Sequence, residues 1–224
     1  MNNTGLDPKE YAKLSKIAIA KRVAKELKDG YMVNLGIGLP TLVANYLPKG
    51  IDVTFQSENG MLGLGPAPEE GHEDPDITNA GGQMVTIEEG GMYFDSSYSF
   101  ALIRGGHVDV TVLGALEVDS EGNIANWMIP GKIVPGMGGA MDLLTGAKKV
   151  IVAMMHTARG NAKILKKCKL PLTAVNAVDM IITELCVFEY INGKLTLVEL
   201  SEGVTIHDVR LVTQAEFFVE LKES

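Results

Sequence analysis

The sequence predicts one α/β domain over residues 1–224, with an open, mostly parallel (mixed) sheet and helices on both faces. Three observations predict this fold. Short apolar runs alternate with segments of helical spacing, and glycine-containing turns separate them. Asn192-Gly193 marks a late β-hairpin, which makes the sheet mixed. A composition of 46% hydrophobic and 21% charged residues is that of a globular protein.

The chain is expected to begin with a helix and a βαβ unit. Asp7 is placed to cap the helix, Pro8 takes its first position, and Glu10 falls where a capping-box acid belongs. Asp29-Gly30 is a typical helix end. The elements expected next are a strand over 32–35, a helix over 40–47 and a strand over 51–56.

Two glycine-rich segments interrupt the remaining elements. Residues 57–82 are expected to form a long loop, and loops of that length are usually functional or disordered. A second loop covers 130–139. The expected helices are 96–104, with Ser96 or Asp95 as cap, 140–144 and 205–212; the expected strands are 93–94, 108–116, 124–128, 150–155, 180–190 and 194–200.

Charge and cysteine content exclude several classes of function. With 20 Lys and Arg against 28 Asp and Glu, the net charge of −8 disfavours nucleic acid and anionic membranes as partners. We find neither a signal peptide nor an apolar run long enough to span a bilayer. The only cysteines, Cys168 and Cys186, form no CxxC pair, which favours a reducing compartment, and we expect the cytoplasm.

Charge is also unevenly distributed along the chain. Residues 50–103 contain no Lys or Arg, and residues 143–178 contain no Asp or Glu. The basic segment, here called the basic stretch, carries Lys148, Lys149, Arg159, Lys163, Lys166, Lys167 and Lys169. It is either an ordinary solvated face or a region that attracts a polyphosphate ligand or an acidic partner.

Common cofactor and metal motifs are incomplete. Gly36-Ile37-Gly38 follows a strand, but Thr41 occupies the place of the third glycine of a dinucleotide fingerprint. No Walker lysine and no nucleophile elbow occur. His72-Glu73-Asp74 is the densest cluster of possible metal ligands, and it lacks a ligating spacing. We therefore expect no metal and no permanently bound cofactor.

Glu58 stands out among the acidic residues. The strand over 51–56 runs into Ser57-Glu58-Asn59-Gly60, where Asn-Gly favours a sharp turn. Such a turn would place Glu58 in the crevice at the carboxyl end of the sheet, where open α/β sheets bind ligands. Apolar residues and glycines follow over 61–66, and a carboxylate against such a wall is costly as mere structure. By spacing alone, an ordinary turn remains the alternative.

Motifs along nearly the whole chain resemble the beta subunit of family I coenzyme A transferases. The signature is Ser57-Glu58-Asn59-Gly60 followed by Gly63-Leu64-Gly65-Pro66, and we see no departure from it. The acidic segment 67–77 is variable. The other matching motifs are 34–40, 79–82, 94–96, 104–107, Asn123-Ile124-Ala125-Asn126-Trp127 and Pro135-Gly136-Met137-Gly138-Gly139-Ala140-Met141-Asp142-Leu143.

The resemblance implies a covalent mechanism. Glu58 would be the nucleophile, and a free glutamate carboxyl is already ionised at pH 7. Its attack on an acyl-CoA would lead through an anhydride to a glutamyl-CoA thioester, in a ping-pong reaction in which coenzyme A is a substrate. Gly138 and Gly139 resemble the glycines of the family's oxyanion hole. The motifs also imply substrate or CoA contacts at Gly36, Gly38, Ser57, Asn59, Gly60, Asn126 and Gly136.

The resemblance further implies a partner and a substrate class. The family consists of alpha and beta parts, and this chain matches the beta part, so it should need a separate alpha subunit in a hetero-oligomer. The likeness is greatest to subunits that move CoA between acetyl-CoA or butyryl-CoA and acetoacetate or another short-chain acid. Succinyl-CoA:3-ketoacid and 3-oxoadipate transferases are the alternatives. A non-catalytic metabolite-binding domain and a sugar-phosphate isomerase are alternatives of other classes.

Overall fold

The structure is a computed structural model that describes residues 7–132, 134 and 136–222, so Pro135 of the quoted motif lies outside it. The helices are α1 (Pro8–Ala24), α2 (Ser96–Arg104), α3 (Ala140–Gly146) and α4 (Ile206–Val212), and a 3-10 helix covers Pro40–Tyr46. The strands are β1 (Tyr31–Leu35), β2 (Val53–Ser57), β3 (Met61–Leu64), β4 (Ile87–Tyr93), β5 (Val110–Leu113), β6 (Glu117–Asp119), β7 (Ile124–Ala125), β8 (Lys149–Ala153), β9 (Thr157–Ala158), β10 (Asn161–Ala162), β11 (Ile164–Leu165), β12 (Met180–Ile182), β13 (Cys186–Ile191), β14 (Lys194–Leu200) and β15 (Phe218–Val219).

A 10-stranded mixed sheet forms the centre of the fold, in the order β15-β14-β13-β12-β8-β5-β1-β2-β3-β4. The strands from β12 to β2 are parallel, and antiparallel pairs extend the sheet on both sides. At one edge, β15 pairs in parallel with β14. Strand β1 pairs with both β2 and β5, so the chain order reverses direction there. The crevice at the carboxyl ends of these strands is where an open sheet binds ligands.

Helices cover both faces of the sheet, as predicted. On one face, α1 and the 3-10 helix bury residues such as Ile19 and Val43 against Val33. On the other face, α2 and α3 bury Ile103 and Leu143. Side chains of a strand alternate between the faces, so on β2 the even-numbered positions turn toward α2 and α3.

Helix caps follow the sequence signals closely. The Asp7 carboxylate accepts from Lys9 N–H at 2.9 Å, and Asp95 accepts from Tyr98 N–H at 2.8 Å. Thr205 caps α4 in a reciprocal capping box with Asp208. The capping box expected at Glu10 does not form among the described residues, since Asp7 alone caps α1.

The expected 57–82 loop is wrong in part. Met61–Leu64 forms β3, and the strand expected at 93–94 is the end of the longer β4 that pairs with it. Gly63 interrupts the apolar pattern of β3 and approaches Gly91 of β4, where an added Cβ would lie 2.9 Å from Gly91 Cα. The expected helix over 40–47 is a 3-10 helix, and the strands expected at 108–116 and 124–128 shorten to β5 and β7.

Candidate active site

Glu58 lies at the carboxyl end of β2, half-buried, as the sequence predicts. A tight turn follows it, in which Gly60 N–H donates to Ser57 O at 3.0 Å. Gly60 has φ +120°, a conformation that favours glycine, and its carbonyl accepts from Phe94 N–H at 3.0 Å. The Asn59 amide donates to Thr78 O at 2.7 Å. The turn is therefore held by Phe94, which directly follows β4, and by Thr78, and it fixes the position of Glu58.

A cleft of about 970 Å³ opens beside Glu58. Gly36, Ser57 and Glu58 line it, together with apolar residues of the 3-10 helix, β2 and β3. Of the apolar wall predicted over 61–66, residues 62–66 line the cleft and Met61 does not. Leu42 and Phe55 add further apolar lining. A cleft of this size and character suits an organic substrate with an apolar portion.

Asn34 donates its side-chain amide toward Glu58. Asn34 Nδ2 lies 3.2 Å from Glu58 Oε2, and it also donates to Gln56 Oε1 at 2.8 Å and to Gln56 O at 3.2 Å. Gln56 Nε2 in turn donates to Ser99 Oγ at 3.0 Å. Since β1 and β2 are parallel neighbours with Asn34 opposite Gln56, the sheet register brings these groups together.

Gly139 packs directly against Glu58. A Cβ on Gly139 would lie 2.9 Å from Glu58 Cγ and 3.4 Å from Phe100 Cε1. Gly138 adopts φ +56°, and Gly139 precedes α3 as its cap residue. Among the residues that the structure describes, the N–H groups of Gly138 and Gly139 donate to no protein acceptor. The structure therefore places Gly139 against Glu58, whereas a Cβ on Gly138 would meet nothing within 4 Å.

Some of the other candidate residues line the cleft, and others only make contacts within the fold. Gly36 lines the cleft, and an added Cβ there would lie 2.9 Å from Leu113 Cδ2. Ser57 Oγ accepts from Ala80 N–H at 3.0 Å, which ties the 79–82 segment to the site. Gly38 and Gly136 have φ +87° and +99°, and an added Cβ would meet nothing within 4 Å.

Asn126 is bonded within the fold and is not part of the cleft lining. Its Nδ2 donates to Gly114 O at 3.3 Å, and its Oδ1 accepts from the Thr173 hydroxyl at 2.7 Å. These bonds tie the segment after β7 to the end of β5. The structure thus brings Asn126 to the same edge of the sheet without placing it against Glu58.

Sequence reasoning missed Asn34, Gln56 and Ser99 as site residues. All three side chains are buried. A signal for two of them was present, because Asn34 and Gln56 are polar residues inside apolar strands, and a buried polar side chain needs a partner. The sequence carries no such signal for Ser99, because a serine in a helix does not by itself indicate contact with a site on the sheet.

Neither a cluster of metal ligands nor a reactive thiol is found in the described part of the chain. No group of three or more possible metal ligands occurs among the described residues. Burial raises the pKa of the Cys168 and Cys186 thiols to about 12, so neither is a ready thiolate nucleophile. Within the described part of the chain, no helix has both the length and the apolar character needed to cross a membrane.

The family model and the sequence relatives of this chain are both those of coenzyme A transferases. The family model for coenzyme A transferase matches residues 16–211. The beta subunit of the acetate CoA-transferase of Escherichia coli K12 is 59% identical over 206 residues, which cover 92% of this chain and 94% of that protein. The corresponding subunit of a probable succinyl-CoA:3-ketoacid coenzyme A transferase of Bacillus subtilis is 55% identical over 90% of this chain and 94% of that protein.

Solved structures share the fold at lower identity. An acyl-CoA transferase from Escherichia coli O157:H7 superposes with a TM-score of 0.71 at 21% identity, covering 93% of this chain and 43% of that longer chain. Glutaconate coenzyme A-transferase from Acidaminococcus fermentans gives a TM-score of 0.67 at 17% identity, covering 93% and 88%. The decarboxylase AibA/AibB gives a TM-score of 0.64 at 19% identity, covering 93% and 88%, so the fold alone does not decide the chemistry. From the sequence relatives and the family model, the chain belongs to the coenzyme A transferase family.

Proposed function

We propose that this chain is the beta subunit of an enzyme that moves CoA between a short-chain acyl-CoA and a short-chain carboxylic acid. The observation that carries the proposal is the placement of Glu58. Its carboxylate lies at a cleft, with Asn34 Nδ2 3.2 Å from one oxygen and Gly139 packed against its side chain. A carboxylate, a side-chain donor and a glycine backbone thus lie together at one point of the cleft, which is what nucleophilic attack with charge stabilisation requires.

The proposed reaction proceeds by two acyl exchanges. A Glu58 oxygen attacks the thioester carbonyl of the acyl-CoA, the C–S bond breaks, and a mixed anhydride and the CoA thiolate result. The thiolate then attacks Glu58 Cδ, the anhydride C–O bond breaks, and the first acid leaves as its carboxylate. The second acid reverses both steps on the glutamyl-CoA thioester. No net proton transfer is needed, so no catalytic histidine is required.

Each tetrahedral intermediate carries a negative charge that needs donors. The N–H groups of Gly138 and Gly139 are candidates because no side chain blocks their approach and no described protein acceptor occupies them. Removing one such donor typically costs about 3 kcal/mol of transition-state stabilisation. The apolar lining of the cleft would limit hydrolysis of the anhydride and of the thioester.

Two acyl groups are candidates for the acyl-CoA substrate. We assign acetyl-CoA or butyryl-CoA with acetoacetate, because a relative named for acetate is 59% identical. Succinyl-CoA with a 3-ketoacid is the second candidate, favoured by a relative with that name at 55% identity. Both candidates use the same chemistry at Glu58, and an assay with each acyl-CoA separates them.

An alpha subunit is the proposed partner. The relatives of similar length are each named as one subunit of a transferase, and a mouse succinyl-CoA:3-ketoacid transferase is matched over only 40% of its own length. We expect the isolated chain to have no transfer activity and a co-expressed alpha subunit to restore it. Full activity of the isolated chain would contradict this assignment.

The decisive experiment traps the Glu58 adduct. The complex is incubated with acyl-CoA without an acceptor acid, treated with borohydride, and mapped by peptide mass spectrometry. We expect the adduct on Glu58 and irreversible loss of activity. Glu58→Gln should form no adduct and should lose transfer activity, while Glu88→Gln, which also lines the cleft, should retain both. An adduct elsewhere, or an active Glu58→Gln enzyme, would refute the mechanism and favour a non-catalytic or decarboxylase role.

A further inference from the structure

A buried relay of hydrogen bonds runs from α2 to the proposed nucleophile. It consists of Ser99, Gln56 and Asn34, and it ends on Glu58. The three relay residues are 0%, 2% and 1% exposed, respectively. They come from α2, β2 and β1, so the relay exists only in the folded chain.

The direction of every donor in the relay is fixed by its neighbours. Asn34 Nδ2 faces three acceptors, namely Gln56 Oε1, Gln56 O and Glu58 Oε2. A flipped Asn34 amide would set its oxygen against all three. Gln56 Oε1 faces the Asn34 donor, so Gln56 Nε2 must point the other way, where Ser99 Oγ accepts it.

Nothing else in the described structure holds the Asn34 amide. Its Oδ1 is buried and has no hydrogen-bond partner among the described residues. The orientation of the amide therefore depends on the side that contacts Gln56 and Glu58. Loss of the Gln56 side chain removes Oε1, the nearest of the three acceptors at 2.8 Å, and leaves Gln56 O and Glu58 Oε2 at 3.2 Å. The flipped amide is then penalised less, and it gives up no bond at Oδ1 because that atom has no partner among the described residues.

We propose that Gln56 and Ser99 are positioning residues that keep the Asn34 N–H directed at Glu58. The proposal rests on the proposed role of Glu58 as nucleophile. One carboxylate oxygen, Oε2, then stays on the Asn34 donor, and the other oxygen is left to attack. A side chain that acts only through Asn34 should change the rate of the chemical step more than the affinity for substrate.

The relay acts most strongly where charge develops on the glutamyl group. When the thiolate attacks Glu58 Cδ, negative charge accumulates on a Glu58 oxygen. A donor already aimed at that oxygen stabilises the charge without reorganisation. A flipped Asn34 would present its own oxygen there and repel the charge. The cost of losing the relay therefore falls on kcat.

A double-mutant cycle tests the relay in the complex with the alpha subunit. Gln56→Met removes both polar ends at similar length and should lower kcat by about ten- to a hundredfold, with little change in the KM for acyl-CoA. In an Asn34→Ala background, the same change should lower kcat no further, because its target is gone. An equal loss in both backgrounds, or an unchanged kcat in the Gln56→Met enzyme, would overturn the proposal.

A milder variant keeps the test valid if Gln56→Met does not fold. Ser99→Ala removes one acceptor and should lower kcat about tenfold, again only when Asn34 is present. Ser15→Ala is the matched control, since Ser15 is a 6% exposed serine of α1 on the opposite face, and its kcat should not change. Equal effects of the two serine variants would overturn the relay. Absence of any Glu58 adduct in the wild-type complex would instead refute the proposed function.

Discussion

Gly139 and Glu58 are in such close contact that a methyl group on the glycine would lie 2.9 Å from Glu58 Cγ and 3.3 Å from Cβ. Residues 81 positions apart in sequence thus meet because α3 begins beside the carboxyl end of β2. Gly139 has φ −79°, a conformation open to any residue. Its backbone therefore does not require glycine, whereas the space beside Glu58 does.

The first prediction concerns this contact. Gly139→Ala should push the Glu58 side chain out of place without backbone strain, so kcat should fall by about a hundredfold. The melting temperature should change little. Gly114→Ala is the control, because an added Cβ there meets nothing within 4 Å. Steady-state kinetics and thermal melts of both variants measure kcat and the melting temperature. A Gly139→Ala enzyme with wild-type kcat would contradict the prediction, because Glu58 would then tolerate the displacement.

The turn after Glu58 gives a prediction on stability. Gly60→Ala would place a Cβ 2.1 Å from Phe94 O at φ +120°, so both contact and conformation oppose the change. We expect the free energy of unfolding to fall by about 3 kcal/mol or more. Gly38→Ala, with φ +87° and nothing within 4 Å, has the strain without the clash and should cost about 1 kcal/mol. Denaturant titration measures both, and equal losses would refute the role of the clash.

His156 predicts a loss of stability in mild acid. Its side chain is buried, its Nε2 lies 2.8 Å from Thr213 Oγ1, and the Thr213 hydroxyl donates to Val209 O. Burial, with a smaller contribution from Lys163, lowers its pKa from 6.5 to about 4. The unfolded chain therefore takes up the proton first as the pH falls, and stability is lost between about pH 6.5 and pH 4.

Protonation of His156 should lower the free energy of unfolding by roughly 3 kcal/mol in total. His156→Gln should remove that part of the pH dependence when unfolding free energies at pH 7 and pH 4.5 are compared. The exposed His207 offers a control, because His207→Gln should keep the wild-type dependence. If His156→Gln loses as much stability in acid as the wild type, another group is responsible.

The basic stretch gives a prediction on substrate attraction. Lys148 and Lys149 lie at the amino end of β8, away from Glu58, and pair with Asp109 at 2.7 Å and Glu26 at 2.8 Å. Of the exposed Arg159, Lys166, Lys167 and Lys169, we choose Lys166 and Lys167 to test attraction of the anionic CoA handle. Their joint change to Gln should raise the KM for acyl-CoA about two- to fivefold at low salt and flatten its salt dependence.

Two other exposed lysines serve as the control for that experiment. Lys25 and Lys28 follow α1 near the amino ends of the strands, and their joint change to Gln should leave the salt dependence intact. Measurement of kcat/KM from low to high salt compares the pairs. Indistinguishable slopes would mean that the basic stretch is an ordinary solvated face.

Local sequence patterns specify the features that depend only on residues close together in the chain. Local patterns predict the helix caps at Asp7 and Asp95. They also predict the Asn192-Gly193 hairpin and the alternation of strands with helices. The placement of Glu58 could also be predicted, because a turn after a buried strand of an α/β sheet opens at its carboxyl edge. These features need only the preferences of short segments.

Tertiary packing sets which residues far apart in the chain come into contact. Strand β3 is short and interrupted by Gly63, so only its pairing with β2 and β4 makes it a strand. Asn34 reaches Glu58 because β1 and β2 are parallel neighbours, and Ser99 reaches Gln56 because α2 packs on that face. Strand order and helix packing are set by the burial of the whole core, which no local pattern contains.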